Sequence, residues 1–252
     1  MEYNIVALDP SLISTALVVS SGETFKIYNY CRESSVLGKT GIKKWFKLAE
    51  QFVTYKFIEY REFKDYSEGE LTKLKDYDRI SDDIIADILA NIDTSKPTKI
   101  GIEGYSFSST GDIIDLVTFS TLLRKKLFDM VSEDILVLSP STLKLESCKL
   151  TYPPIVKETG KKVKKVKIEY RNSLGMAGGS FTKTDMFMSI VENEEMQDFW
   201  TKHCKLVKSD VLGIATIPKP YEDVNDAWFL YHIIKGLCKE LNNFLDEKEN
   251  QP

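Results

Sequence analysis

The sequence predicts a single α/β domain built on a sheet of mixed direction with helices on its faces. Two observations carry this prediction. The chain opens with three short apolar runs, at residues 3–8, 14–20 and 24–30, and Ser20-Ser21-Gly22-Glu23 separates the last two as a turn. That is the pattern of an antiparallel meander. From residue 80 onward helical and strand-like periods alternate, and strands linked through helices pair in parallel within one sheet.

Taken in order, residues 41–60 are mixed and aromatic-rich, and no single period describes them. Residues 61–79 are densely charged and read as an exposed insertion. "DRISDDIIADILANI" places apolar residues at 80, 84, 85, 88, 89 and 92, which is helical spacing. "TKIGIEGYSF" is a second buried strand, residues 98–103, ending in Glu103. Residues 112–131 form a long amphipathic helix, with Asp112 suited to its N-terminus. "DILVLSPSTLK" is a strand followed by a helix start at Pro140-Ser141. A basic segment and the glycine-rich "GMAGGSFTKTDM" lead to a helix near residue 183, residues 194–217 carry no clear pattern, and a last helix spans about 223–245. The expected organisation is one domain, 1–245, with insertions at about 61–79 and 146–175 and a disordered tail, 246–252.

Composition narrows the class. With 42% hydrophobic and 29% charged residues over 252 positions, the chain can bury a large core. No stretch approaches the roughly 20 apolar residues of a membrane span. The start, "MEYNIV", has no basic stretch leading into an apolar one, so a secretory signal is not expected. Four scattered cysteines without a CxxC pair suggest reduced thiols and a cytoplasmic setting. His203-Cys204 is a weak zinc signal in a chain with two histidines. The net charge of −4 is unevenly spread: residues 157–171 hold seven basic and two acidic residues, a local +5, so the remainder sums to −9. Such a run either neutralises phosphates or forms a solvated lysine-rich loop.

Acids stand at telling places. Asp9 ends the first apolar strand, in "IVALDPSLISTALVV", and Glu103 ends the strand after the first helix. Asp223 and Asp226 lie at i and i+3 in the first turn of the last helix, on one face. If the two strands are neighbours, four carboxylates gather at one end of the sheet. Close like charges do not all stay ionised without a cation. A ligand set of oxygens without histidine or thiolate suits Mg²⁺ or Mn²⁺, and two such ions clamp a phosphodiester for in-line hydrolysis. Singly, each acid also has a structural reading: Asp9-Pro10-Ser11 as a self-capping turn, Glu103 as a solvated strand end, Asp223 as an N-cap and Asp226 as a first-turn acid.

In family order, the motifs "ALDPSLISTALVV", "IGIEGYSF", "SPSTLK", "GGSFTKTDM" and "DVNDAW" resemble those of the RuvC-like Holliday junction resolvases of the RNase H-like superfamily. The two charged insertions have no clear counterpart in compact bacterial members, and the divergence resembles that of phage- or virus-encoded resolvases, which would act in the host cytoplasm. The resemblance implies an RNase H-like mixed sheet with helices on both faces and a Mg-dependent nuclease resolving four-way or branched DNA by paired symmetric cuts, in recombination and repair. It implies two Mg²⁺ ions, replaceable by Mn²⁺, with Asp9 bridging both, Glu103 on one, and Asp223 and Asp226 on the other. Lys183 and Lys144 would contact phosphate, Lys161, Lys162, Lys164, Lys165 and Lys167 would add to DNA binding, and Tyr105 and Phe107 would stack on bases or pack beneath the loop. The helix 112–131, apolar on more than one face, would form a two-fold homodimer interface.

Two other classes remain open on the sequence. An RNase H-type or terminase-type nuclease would keep the metals and change the substrate. A catalytically inactive relative would bind DNA or nucleotide only; against a nucleotide-binding relative, Pro10 and Ile13 stand where a phosphate-cradling backbone needs glycine.

Overall fold

The structure, a computed structural model, describes residues 2–34, 40–105, 113–159, 165–173, 175–177 and 180–249. β1 (Asn4–Asp9), β2 (Ser14–Ser21) and β3 (Thr24–Cys31) form the expected antiparallel meander. The stretch without a clear period folds as α1 (Thr40–Ala49) and β4 (Val53–Phe57), the latter parallel to β3. Then follow α2 (Tyr66–Leu89), β5 (Thr98–Glu103) parallel to β1, α3 (Ile113–Met130), and β6 (Ile135–Leu138) parallel to β5. α4 (Pro140–Thr151) leads to a separate hairpin, β7 (Ile155–Thr159) and β8 (Lys165–Glu169). The chain closes with α5 (Lys183–Glu192), α6 (Phe199–Leu212) and α7 (Tyr221–Glu249).

The six-stranded order is β4-β3-β2-β1-β5-β6, and every strand except β2 runs in one direction. One end of the sheet therefore collects the carboxyl ends of five strands. Alternation along each strand divides the core in two. Ile5, Ala7, Ala16, Val18 and Ile27 pack with α4–α7, whereas Val6, Leu8, Leu17, Val19 and Tyr28 pack with α2 and α3. This is the mixed α/β sheet with helices on both faces that the sequence predicts.

Within the charged stretch 61–79, residues from Tyr66 onward form the first part of α2. Asp65 caps that helix, accepting a hydrogen bond from the Glu68 backbone N–H at 2.9 Å. Along it Tyr77, Ile80, Ile84 and Ile88 keep helical spacing into the core, and most of the charges lie away from that face. Buried Asp76 is held by Arg61, whose Nε donates at 2.8 Å. α7 runs to Glu249, into the tail expected to be disordered, because "LDEKE" consists largely of good helix formers. In the basic segment, Lys157, Lys167 and Arg171 all pair with Glu169 at 2.9, 2.9 and 3.1 Å. These hydrogen bonds lower the Glu169 carboxyl to about 2, Lys167 contributing most. All four cysteines are buried and none forms a disulfide, and among the described residues no helix is long and apolar enough to cross a membrane.

Candidate metal centre

Strand parity aims the first two acids. Asp9 follows Ile5 and Ala7 in alternation, so it emerges on the α7 side of the sheet. Glu103 shares parity with Gly101, where an added Cβ would lie 3.0 Å from Ile234 Cγ1 of α7. A glycine there lets the helix lie close against β5. β1 and β5 are parallel neighbours ending together, so Asp9 and Glu103 stand side by side. The first turns of α7 cross this end of the sheet and deliver Asp226. Carboxylate oxygens of Asp9, Glu103 and Asp226 all lie within 4.8 Å of one another.

The electrostatics are those of a carboxylate cluster that Lys183 compensates only in part. Burial, then the charges of Glu103 and Asp226, push the Asp9 carboxyl well above the ordinary carboxylate range. Burial is also the main cause that raises Asp226, to about 7, against the opposing pull of Lys183. Lys183 is the first residue of α5, whose N-cap Thr182 forms a reciprocal capping box with Asp185. Its ammonium bonds Asp226 Oδ2. Burial works against the Lys183 charge, but Asp226, Asp9 and Glu103 together outweigh it and raise the ammonium above its usual value. Asp226 Oδ1 is buried without a hydrogen-bond partner among the described residues.

That orphaned oxygen, within a set of three carboxylates and no soft ligand, fits a hard divalent cation. Asp9, Glu103 and Asp226 can hold one, and the arrangement can place positive charge beside a phosphate.

Asp223 is not among the three converging acids, contrary to the four-carboxylate expectation. Its Oδ2 accepts from Ser14 Oγ at 2.5 Å and its Oδ1 from Lys219 Nζ at 2.6 Å. Buried Asn29 completes the network, its Nδ2 3.1 Å from Ser14 Oγ. The reason is geometric. Three residues of helix rise about 4.5 Å, close to the roughly 4.8 Å between neighbouring strands. A helix crossing the strands thus points Asp226 at β1 and β5 and Asp223 at β2, one strand over. Burial opposes the Lys219 charge, but Asp223 raises it overall. Ser14, Asn29 and Lys219 escaped sequence reasoning; the i, i+4 spacing of Lys219 and Asp223 was the available signal for one of them.

The other expected residues are scattered more widely. Lys144 lies in the second turn of α4, beyond the carboxyl end of β6, with its N-terminus capped by Ser139. The Arg124 guanidinium lies 5.4 Å from the centroid of the Tyr105 ring. Lys167 stands on the hairpin paired with Glu169. Lys165 begins β8, whereas Asp112, Phe107, Lys161, Lys162 and Lys164 lie outside the described residues. His203 stacks on Tyr221 and shares a 2.8 Å hydrogen bond with its phenol.

No family model and no curated protein sequence matches the chain. Among solved structures, it is similar to Thermus thermophilus RuvC in complex with Holliday junction substrate, at 7% identity and a TM-score of 0.43. That match covers 92% of this chain and 91% of that one. A second Thermus thermophilus RuvC structure matches at 10% identity and a TM-score of 0.41, covering 91% of this chain and 92% of the other.

Proposed function

We propose that this protein is a divalent-metal-dependent endonuclease that resolves four-way or branched DNA junctions by paired symmetric cuts. The observation that carries the reading is the convergence of Asp9, Glu103 and Asp226 on one point at the carboxyl end of the sheet, beside Lys183. Asp9, Glu103 and Asp226 would hold Mg²⁺ or Mn²⁺, two ions per site, which when bound supply a water of lowered pKa and polarise the phosphate.

The chain's own residues do the remaining work. The rigid apolar strands β1 and β5 fix two carboxylates, and α7 fixes the third, so the ligand set is preorganised. Lys183 neutralises Asp226 in the free protein, and at 38% exposure its ammonium can turn to a phosphate oxygen and stabilise developing charge there. The Asp223–Lys219–Ser14 network clamps the first turn of α7 to β2 and so aims Asp226. Lys144, Lys165 and Lys167, with Lys161, Lys162 and Lys164, belong to the proposed DNA contact, as do Tyr105 and Phe107 at the rim.

Paired cuts call for two active centres, and α3 supports a homodimer. It buries Phe119, Leu123 and Leu127 against the sheet while Ile114 and Phe128 remain exposed on its other side. The preference for four-way junctions, and a place in recombination or repair of a phage or virus genome, rest on the sequence motifs.

The test is cleavage of a synthetic four-way junction, a linear duplex and an RNA–DNA hybrid, in Mg²⁺ and in EDTA. Paired nicks in the junction alone, dependent on Mg²⁺ and lost in Asp9→Asn, are expected. Equal cutting of duplex or hybrid overturns the junction reading, and cleavage by Asp9→Asn overturns the site.

A further inference from the structure

On the α2–α3 side of the same sheet end, a cavity of about 300 Å³ lies across the β1–β2 turn from the carboxylates. Its walls are apolar and aromatic: Leu12, Ile13, Tyr60, Phe63 and Tyr77. Three cations also face it, and two are already neutralised. Arg61 is held by Asp76 at 2.8 Å and Lys73 by Asp115 at 2.9 Å. Among the described residues Arg32 has no acidic partner and its buried Nε has no hydrogen bond; its guanidinium lies 3.9 Å from the Tyr60 ring centroid. The cavity therefore carries one uncompensated positive charge over an aromatic floor.

This composition matches neither a bare phosphate, which needs no aromatic wall, nor an apolar ligand, which would leave a buried guanidinium nitrogen unsatisfied. It matches a nucleotide taken out of the base stack, its base against Tyr60 and Phe63 and its phosphate on Arg32. The position fits as well. The Arg32 backbone N–H donates to Ile13 O at 3.1 Å, so Arg32 is anchored to the turn that begins at Asp9. β3 is two strands from β1, roughly 10 Å, a gap that one to two nucleotides of an extended strand can span. On the far side of Arg32 the wall carries Glu33 and Glu59, so an anion approaches from the Ile13 side.

We infer that this cavity, built on Arg32, Tyr60 and Phe63, holds one unstacked nucleotide of the DNA strand beside the cut. The inference rests on the endonuclease reading, and binding measurements separate the two. Junction DNA carrying a single abasic site at successive positions around the cleavage point is titrated with the full chain in EDTA. The wild type is expected to lose about fivefold or more in affinity at one position, as stacking on aromatics implies. Arg32→Ala and Phe63→Ala, checked for folding by thermal melts, should bind intact junction more weakly and lose that positional dependence. Arg32→Ala should also reduce the salt slope of binding by about one. Phe63 is 48% exposed, so its truncation leaves the core intact. A flat abasic scan, or variants that bind as the wild type does, overturns the nucleotide cavity while leaving the endonuclease reading in place. No junction binding by the wild type overturns the endonuclease reading itself.

Discussion

Asp226→Asn should make the metal-free protein more stable while abolishing cleavage. In the wild type, the Asp226 carboxylate lies within 4.8 Å of both Asp9 and Glu103 and is 1% exposed. At an effective dielectric constant of about 20, two unit charges at that separation repel by about 3.5 kcal/mol. Removing the Asp226 charge relieves the cost of burying it and one such repulsion, from Glu103, and loses one attraction, to Lys183; Asp9, whose carboxyl is held well above the ordinary range, adds little. That attraction is screened in part because the lysine side chain is 38% exposed. The net relief is about 3 kcal/mol, which in a domain of this size raises the melting temperature by about 6–12 °C. The same sign follows from the raised Asp226 carboxyl: at neutral pH the fold bears a cost that an amide does not. Thermal melts at pH 7.5 in EDTA and in millimolar Mg²⁺ or Mn²⁺ measure this. In EDTA the variant should melt higher; added metal should raise the wild type and leave the variant unmoved. A variant less stable than the wild type in EDTA, or a wild type indifferent to both metals, refutes the reasoning.

Asp223→Asn should keep the metal-induced rise in melting temperature, since Asp223 is engaged by Lys219 and Ser14; loss of that rise would make Asp223 a ligand after all. Ser14→Ala removes a 2.5 Å hydrogen bond to a buried carboxylate and should cost about 1–3 kcal/mol in urea unfolding; an unchanged midpoint would mean that the network does not hold α7. Asp198 caps α6, and although burial opposes its charge, the His232 imidazole, with Nε2 3.4 Å from Oδ2, and hydrogen bonds from Thr201 lower it to about 2. Its contribution is therefore complete above about pH 4 and lost as the pH falls towards 2. Asp198→Asn should lower stability at neutral pH by roughly 2 kcal/mol and flatten the stability profile between pH 4 and 2; a profile matching the wild type would exclude Asp198. Gly101→Val should push Ile234 away from β5 and destabilise by about 1–3 kcal/mol, read in the same unfolding assay, with no loss expected if α7 can shift freely.

Much of this protein was legible locally. The apolar runs in "NIVALD" and "TKIGIE" marked β1 and β5 as buried strands ending in Asp9 and Glu103, while the face on which each acid leaves was read from the packed sheet. Helical spacing in residues 80–92 found the core face of α2, but the charges ahead of it hid the helix's beginning, because a solvated face and a loop look alike until a partner surface exists. α1 and β4 were illegible for a related reason: Trp45 and Phe46 are buried in different clusters, so no single period describes them. The division of labour between Asp223 and Asp226 was beyond local reading. Both sit in one helical turn with the same sequence signature, and only the crossing of α7 over the strands separates them. Ser14, which fixes Asp223, lies 209 positions away. The sequence by itself determined which acids stand at element ends. The tertiary structure decided which of them share a cation's space, because a distance between carboxylates is set by how strands and helix pack, not by the residues flanking either one.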